Sequence, residues 1–149
     1  MSQIKEQWLN AAKQVLSDRI QTAEKAMKRA QEAAQGEEKS SAGDKYETAR
    51  AMSQLERDMN ARQLDQALKE MALLEKLDIQ SKSTVMNGAA IKSTEQLYFI
   101  ALGLGKVEFE GEACIFLSPS SPLGNEMMGK KSGDSVTWNG QTIAIVEVF

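Results

Sequence analysis

The sequence contains no histidine and a single cysteine, Cys114. Histidine-dependent acid–base and nucleophilic chemistry is thereby excluded, and with it Ser-His-Asp hydrolases, Cys-His proteases and Cys/His zinc sites. Carboxylates and lysines are left as the main candidates for charged catalytic groups. Among the carboxylates, Asp44 and Glu47 lie three residues apart in Gly43-Asp44-Lys45-Tyr46-Glu47, at the predicted start of a helix. Positions i and i+3 share a helical face about 5–6 Å apart, so both oxygens can contact one divalent cation. The same spacing is the capping-box pattern with Asp in the Ser/Thr place, and both acids suit the positive end of a helix dipole. On spacing alone, metal contact and helix cap are both open. Glu37 and Glu38 add acids to the same region, partly offset by Lys39 and Lys45.

A second candidate is the segment from Ser118 to Asp134, which holds both prolines of the chain, Pro119 and Pro122, and three glycines, Gly124, Gly129 and Gly133. Such a composition predicts a loop, a short helix over about 124–129 and a turn. Met127 and Met128 are expected to face a sheet, and Lys130 and Lys131 to be solvated. Cys114, inside the apolar run Ala113-Cys114-Ile115-Phe116-Leu117, is expected to be a buried thiol with no base to activate it. Gly103-Leu104-Gly105-Lys106 lacks both the glycine spacing and the Ser/Thr of a phosphate loop.

These residues need elements to position them, and composition divides the chain near residue 79. Residues 1–79 contain two of ten glycines, no proline and one valine; residues 80–149 contain the rest, with six of eight aromatics. The first part is Ala-rich and helix-like, the second strand-like. Two domains are predicted, 1–79 and 80–149, joined through Asp78 to Ser83. In the first, Leu16, Ile20, Ala23, Met27, Ala30 and Ala34 follow the alternating 4, 3 spacing of a coiled-coil seam, within a helix from about Gln3 to Gln35. Gly36 to Gly43 reads as the turn, and Met52, Leu55, Met59, Leu64, Leu68, Met71, Leu74 and Leu77 as the returning stripe over about Asp44 to Leu77. The helices are expected to fold back as an antiparallel hairpin about 50 Å long, with an acidic tip near 36–47. Trp8, Leu9, Leu74 and Leu77 at the open end are expected to dock on the second domain.

The second part predicts strands at Ala89–Lys92, Leu97–Ala101, Lys106–Phe109, Ala113–Leu117, Ser135–Trp138 and Gln141–Val148. Asn139-Gly140 is its strongest hairpin signal, because a type I′ turn needs two positive φ angles. Ile143, Ile145 and Val148 should point inward, although Ala144, Val146 and Phe149 blur the alternation. The fold class is α+β: a long antiparallel coiled-coil hairpin, then a small antiparallel sheet with one short helix. The net charge of −3 excludes a strongly basic nucleic-acid coat, and no run suits a membrane span or signal peptide, so a cytoplasmic protein without independent DNA binding is expected.

Order, spacing and motifs together resemble the bacterial Gre transcript cleavage factors. That family combines an N-terminal coiled coil, a tip written G-D-x-x-E-N, and an FKBP-like domain with S-P-[IL]-[GA]-x-x-[LIM]-[LIM]-G-K-x-x-G-D. Gly43, Asp44 and Glu47 fit the tip; Ser121, Pro122, Leu123, Gly124, Met127, Met128, Gly129, Lys130, Gly133 and Asp134 fit the second motif. The resemblance implies a partner, bacterial RNA polymerase, with the arm in its secondary channel and the nascent RNA 3′ end contacted indirectly. It implies that Asp44 and Glu47 act in trans, sharing Mg²⁺ with the polymerase to stimulate cleavage of backtracked RNA, with no metal bound tightly by the free protein. It further implies docking through Ser121, Pro122, Leu123, Gly129 and Lys130. On this reading the chain is not itself an enzyme, and no isomerase activity is expected. Thr48 stands where the family has Asn, and Ala51 and Leu55 where aromatic and basic residues are usual. The alternative is accordingly a secondary-channel regulator or inhibitor without cleavage activity.

Overall fold

A computed structural model of the chain describes residues 2–39 and 44–149, with side chains for 3–33 and 47–149. Two long helices, α1 (Ser2–Lys39) and α2 (Asp44–Glu75), precede β1 (Ala90–Ser93), β2 (Leu97–Ile100), β3 (Gly105–Phe109) and β4 (Glu112–Leu117). A short helix α3 (Pro122–Met127) and strands β5 (Ser135–Trp138) and β6 (Gln141–Val148) complete the order. The chain forms two compact units, one of Leu16–Ala72 and one of Met1–Val15 with Leu73–Phe149.

The Leu16–Ala72 unit is a helical hairpin. On α1, Leu16, Ala23 and Ala30 are buried and Ile20 and Met27 half-buried, so the 4, 3 alternation marks the inward seam as predicted. The helix runs on through Gly36 to Lys39, where a turn was expected; the residues left for the turn lie outside those described. On α2 the predicted stripe is corrected. Met52, Leu55 and Met59 are 67%, 60% and 52% exposed, and Leu68 is exposed as well. The inward positions are Ser53, Arg57, Asn60, Leu64, Ala67 and Met71, spaced 4, 3, 4, 3, 4. The cause is the five-residue step from Met59 to Leu64. At 100° per residue it carries the apolar pattern to another face, so Met52, Leu55 and Met59 are not continuous with Leu64 and Met71.

The second unit is built on a six-stranded sheet in the order β3-β4-β2-β1-β6-β5. All six strands lie where alternation and turn signals put them. The sheet is mixed rather than purely antiparallel, because β2 pairs parallel with β4 from Leu97↔Cys114 to Ile100↔Leu117. Glu110 (φ 50) and Gly111 (φ 79) form the turn of a tight β3–β4 hairpin, which lies in the sheet with β3 at the edge and β4 inside, next to β2. The predicted Asn139-Gly140 hairpin has the same geometry, with φ angles of 50° and 76°.

One face of the sheet holds Ile91, Tyr98, Ile100 and Ile145, packed with Val85, Val136 and Met127. Alternate positions Ala90, Phe99, Cys114 and Phe116 are buried as well, and the rings of Phe99 and Phe116 stack at 5.1 Å. Strands buried on both sides read as continuous apolar runs, which is the pattern of Cys114 to Leu117. The blurred end of β6 is a bulge. Lys92 pairs with Glu147 but Ser93 pairs with Ile145, so Val146 is skipped and side-chain parity flips. Ile143 and Ile145 before the bulge and Val148 after it therefore all pack against the same core, while Val146 is 49% exposed.

Candidate functional site

Asp44 opens α2 and Glu47 follows on its first turn, exposed. The side chains of Asp44, Lys45 and Tyr46 lie outside those described, as do those of Glu37 to Lys39, so the paired-carboxylate reading and the cap reading both fall there. Among the described residues no group of three or more acidic, cysteine or histidine side chains could hold a metal ion.

The loop candidate is resolved residue by residue. Ser121 is the N-cap of α3: its Oγ accepts from the Gly124 amide at 3.1 Å and donates to the Ser118 carbonyl at 2.7 Å. Pro122 follows at the first helical position, where a missing N–H costs nothing. Gly124 packs against the preceding loop, and a Cβ there would lie 2.1 Å from the Ser118 carbonyl oxygen. Leu123 and Met128 are half-buried against the core, and Met127 is fully buried in it, as predicted. Gly129 (φ 80) ends the helix, and its amide donates to Val85 while the Lys130 carbonyl accepts from the Val85 amide. Asp134 Oδ2 accepts from the Lys131 amide across a turn that contains Gly133 (φ 93). Each matched position thus has a local structural task. Pro122 and Gly129 are exposed, while Ser121, Leu123 and Lys130 are half-buried.

Sequence reasoning missed Lys5. Its side chain is 1% exposed, and its Nζ donates to the main-chain oxygens of Gln80 (3.0 Å) and Phe149 (3.1 Å). Burial, reinforced by the charge of Lys82 and opposed by Asp78, holds its pKa down to about 8 from 10.5. The lysine ties the first turn of α1 to the segment after α2 and to the end of β6, all within one unit. A lysine at a predicted helix start is ordinarily solvated, so the only sequence signal is its place on the buried stripe with Leu9, Ala12 and Leu16. Cys114 is the expected core thiol: fully buried, with burial pushing its pKa up to about 12.

The fold and site define a class: a two-part α+β protein whose acid-bearing helical hairpin precedes a small mixed sheet. No protein-family model and no curated protein matches the chain. Two solved structures resemble it along most of their length. One is the crystal structure of GreA factor homolog 1 (Gfh1) protein of Thermus thermophilus, 14% identical, covering 92% of this chain and 94% of that one, with a TM-score of 0.38. The other is the structure of the transcription factor Gfh1, 15% identical, covering 93% of both chains, with a TM-score of 0.37. Both scores are low, and the fold described above stands on this chain's own strand pairing and burial. No helix among the described residues is long and apolar enough to cross a membrane.

Proposed function

We propose that this chain is a Gre-like transcription elongation factor that binds bacterial RNA polymerase and stimulates Mg²⁺-dependent cleavage of backtracked RNA. The observation that carries the reading is the loop motif from Ser121 to Asp134, whose ten matched residues build one capped, glycine-bounded structure on the core. Its support comes from a second, separate match at the start of α2, where Asp44 and Glu47 open a helix of 32 residues, about 48 Å long. A helix of that length can carry two acids far from its other end and into a channel.

Asp44 and Glu47 would hold the metal jointly with carboxylates of the polymerase; hard oxygen donors suit Mg²⁺, and two of them are too few to cage it alone. When bound, Mg²⁺ supplies Lewis-acid stabilisation of the attacking and leaving oxygens in an in-line displacement. Glu47, exposed on the first turn, orients the attacking water. Ser121, Pro122, Leu123, Gly129 and Lys130 form the docking loop. The chain acts in the cytoplasm as a stimulator of an activity resident in the polymerase and has no turnover of its own.

The test uses a stalled, backtracked elongation complex with 3′-labelled RNA and Mg²⁺, incubated with the protein and with its Asp44→Ala/Glu47→Ala variant. Release of short 3′ fragments by the wild type alone is the expected result. Cleavage that survives in the double variant refutes the role of the two acids. A second reading is favoured by Thr48, Ala51 and Leu55, which replace the residues usual after the family's tip: a channel regulator that binds polymerase and inhibits nucleotide addition without cleavage. Binding without fragment release, together with slowed nucleotide addition, decides for it.

A further inference from the structure

A groove of about 710 Å³ lies in the sheet-bearing unit, between the start of α1, the β1–β2 turn, the β3–β4 turn and the end of β6. Its volume falls within the roughly 300–1,000 Å³ usual for binding pockets. Its floor is apolar and firm: Trp8 and Phe109 meet edge to face at 6.1 Å, beside Leu97 and Phe149. Ser93 fixes one wall, its Oγ accepting from the Gln96 amide at 2.9 Å and donating to the Gln96 carbonyl at 2.9 Å. Gln96 in turn donates to the main-chain oxygens of Leu97 and Ala113.

Charge at the groove is one-sided. Residues 80–149 contain seven carboxylates, and four of them, Glu95, Glu110, Glu112 and Glu147, line this groove with one lysine, Lys92. Lys92 lies opposite Glu147 across the β1–β6 pair, yet none of the five is in a salt bridge among the described residues. Glu110 is also placed against backbone preference, at a positive φ where Asn, Asp or Gly is favoured. A separate observation concerns the floor. Trp8 is 4% exposed, and its indole N–H has no hydrogen-bond partner among the described residues. Buried indole donors ordinarily have one.

We infer that this groove is a docking site for a basic, extended peptide segment of a partner protein, one that places an arginine among Glu95, Glu110 and Glu112. The guanidinium is the cation that both pairs with carboxylates through a planar fork and stacks on aromatic rings, which suits an acidic rim beside the half-buried ring of Phe109. Apolar neighbours of the arginine cover the floor, and a main-chain carbonyl of the segment accepts from the Trp8 indole. A small inorganic cation would leave the aromatic floor and the indole donor unused. The inference does not depend on the polymerase reading, because it rests on other residues and is tested without polymerase.

The probe is the peptide acetyl-LRLRL-amide, titrated into the full ¹⁵N-labelled chain and followed by NMR. The expected result is a shift of the Trp8 indole signal and of amides in 93–97 and 109–113, with the Trp138 indole as an unmoved internal control. Affinity is expected to fall about tenfold or more in the Glu95→Gln/Glu110→Gln/Glu112→Gln variant, a loss of about 1.4 kcal/mol. It should also weaken as salt rises from about 0.05 to about 0.3 M. The substitutions are isosteric and at exposed positions, so an unchanged Trp138 signal confirms an intact fold. No Trp8 shift at millimolar peptide, or equal binding of acetyl-LELEL-amide, overturns the inference. So does self-association of the chain in sedimentation that the triple variant abolishes, since the occupant would then be a second copy.

Discussion

The helical hairpin and the sheet unit hide their interiors by different rules, and the contrast explains why one was easier to read. In the sheet unit, apolar runs such as Cys114 to Leu117 are covered on both sides, with Cys114 and Phe116 buried and Ile115 and Leu117 half-buried against the core, so hydrophobicity and burial coincide. In the hairpin each helix buries only one narrow stripe, and the identity of that stripe depends on phase. On α1 the phase is unambiguous, because Leu16, Ile20, Ala23, Met27 and Ala30 never break the 4, 3 rhythm. On α2 the seam is held by Ser53, Arg57 and Asn60 in its first half, while Met52, Leu55 and Met59 stand in solvent. Apolarity is a guide to burial only where the packed surface is wide enough to demand it.

The sharpest test of the contrast is Phe99→Ala. It removes a fully buried ring stacked on Phe116 and is expected to cost about 3–5 kcal/mol in urea unfolding. A loss below about 1 kcal/mol would show that the sheet core is loosely packed. Next is Gly124→Ala, which drives a Cβ into the Ser118 carbonyl oxygen and is expected to destabilise by about 2–3 kcal/mol. An unchanged midpoint would mean that the loop carrying the second motif yields freely.

Lys5 gives a pH-dependent test of the sheet unit. Its folded pKa is lowered to about 8, so between that value and 10.5 the unfolded chain binds more protons than the folded one. Stability contributed by this group therefore rises with pH across that window. In Lys5→Met the rise should be smaller than in the wild type, judged by the difference in urea midpoints at the two ends of the window. Parallel profiles would show that the amine is not desolvated.

The smallest effects belong to the hairpin. Leu55→Ala should change stability by less than about 0.5 kcal/mol, as expected for a side chain that is 60% exposed. By contrast Asn60→Leu, which fills the seam, should stabilise by about 0.5–1 kcal/mol. The reverse ranking would restore the stripe through Met52, Leu55 and Met59.

Much of the fold was legible in the chain because its signals are local. The Asn139-Gly140 turn, the Ser121-Pro122 helix start and the six short strands each depend on dihedral preferences of neighbouring residues. The β3–β4 turn was less visible, since Glu110 holds a place where Asn would have announced it. The candidate acids Asp44 and Glu47 were found by type and spacing. The groove was not, because Trp8, Glu95, Glu110 and Glu147 are distant in sequence and no spacing rule joins them.

By itself the sequence determined the helix-then-strand order, the seam of α1, the burial of Cys114 and the chemistry that the lack of histidine excludes. Those follow from composition, periodicity and local backbone preference. Tertiary structure alone decided the parallel β2–β4 pairing, the bulge that aligns Ile145 and Val148, the polar seam of α2 and the burial of Lys5. Each of these depends on which distant segment lies opposite, and pairing partners are selected by the joint packing of the whole unit rather than by any single stretch of chain.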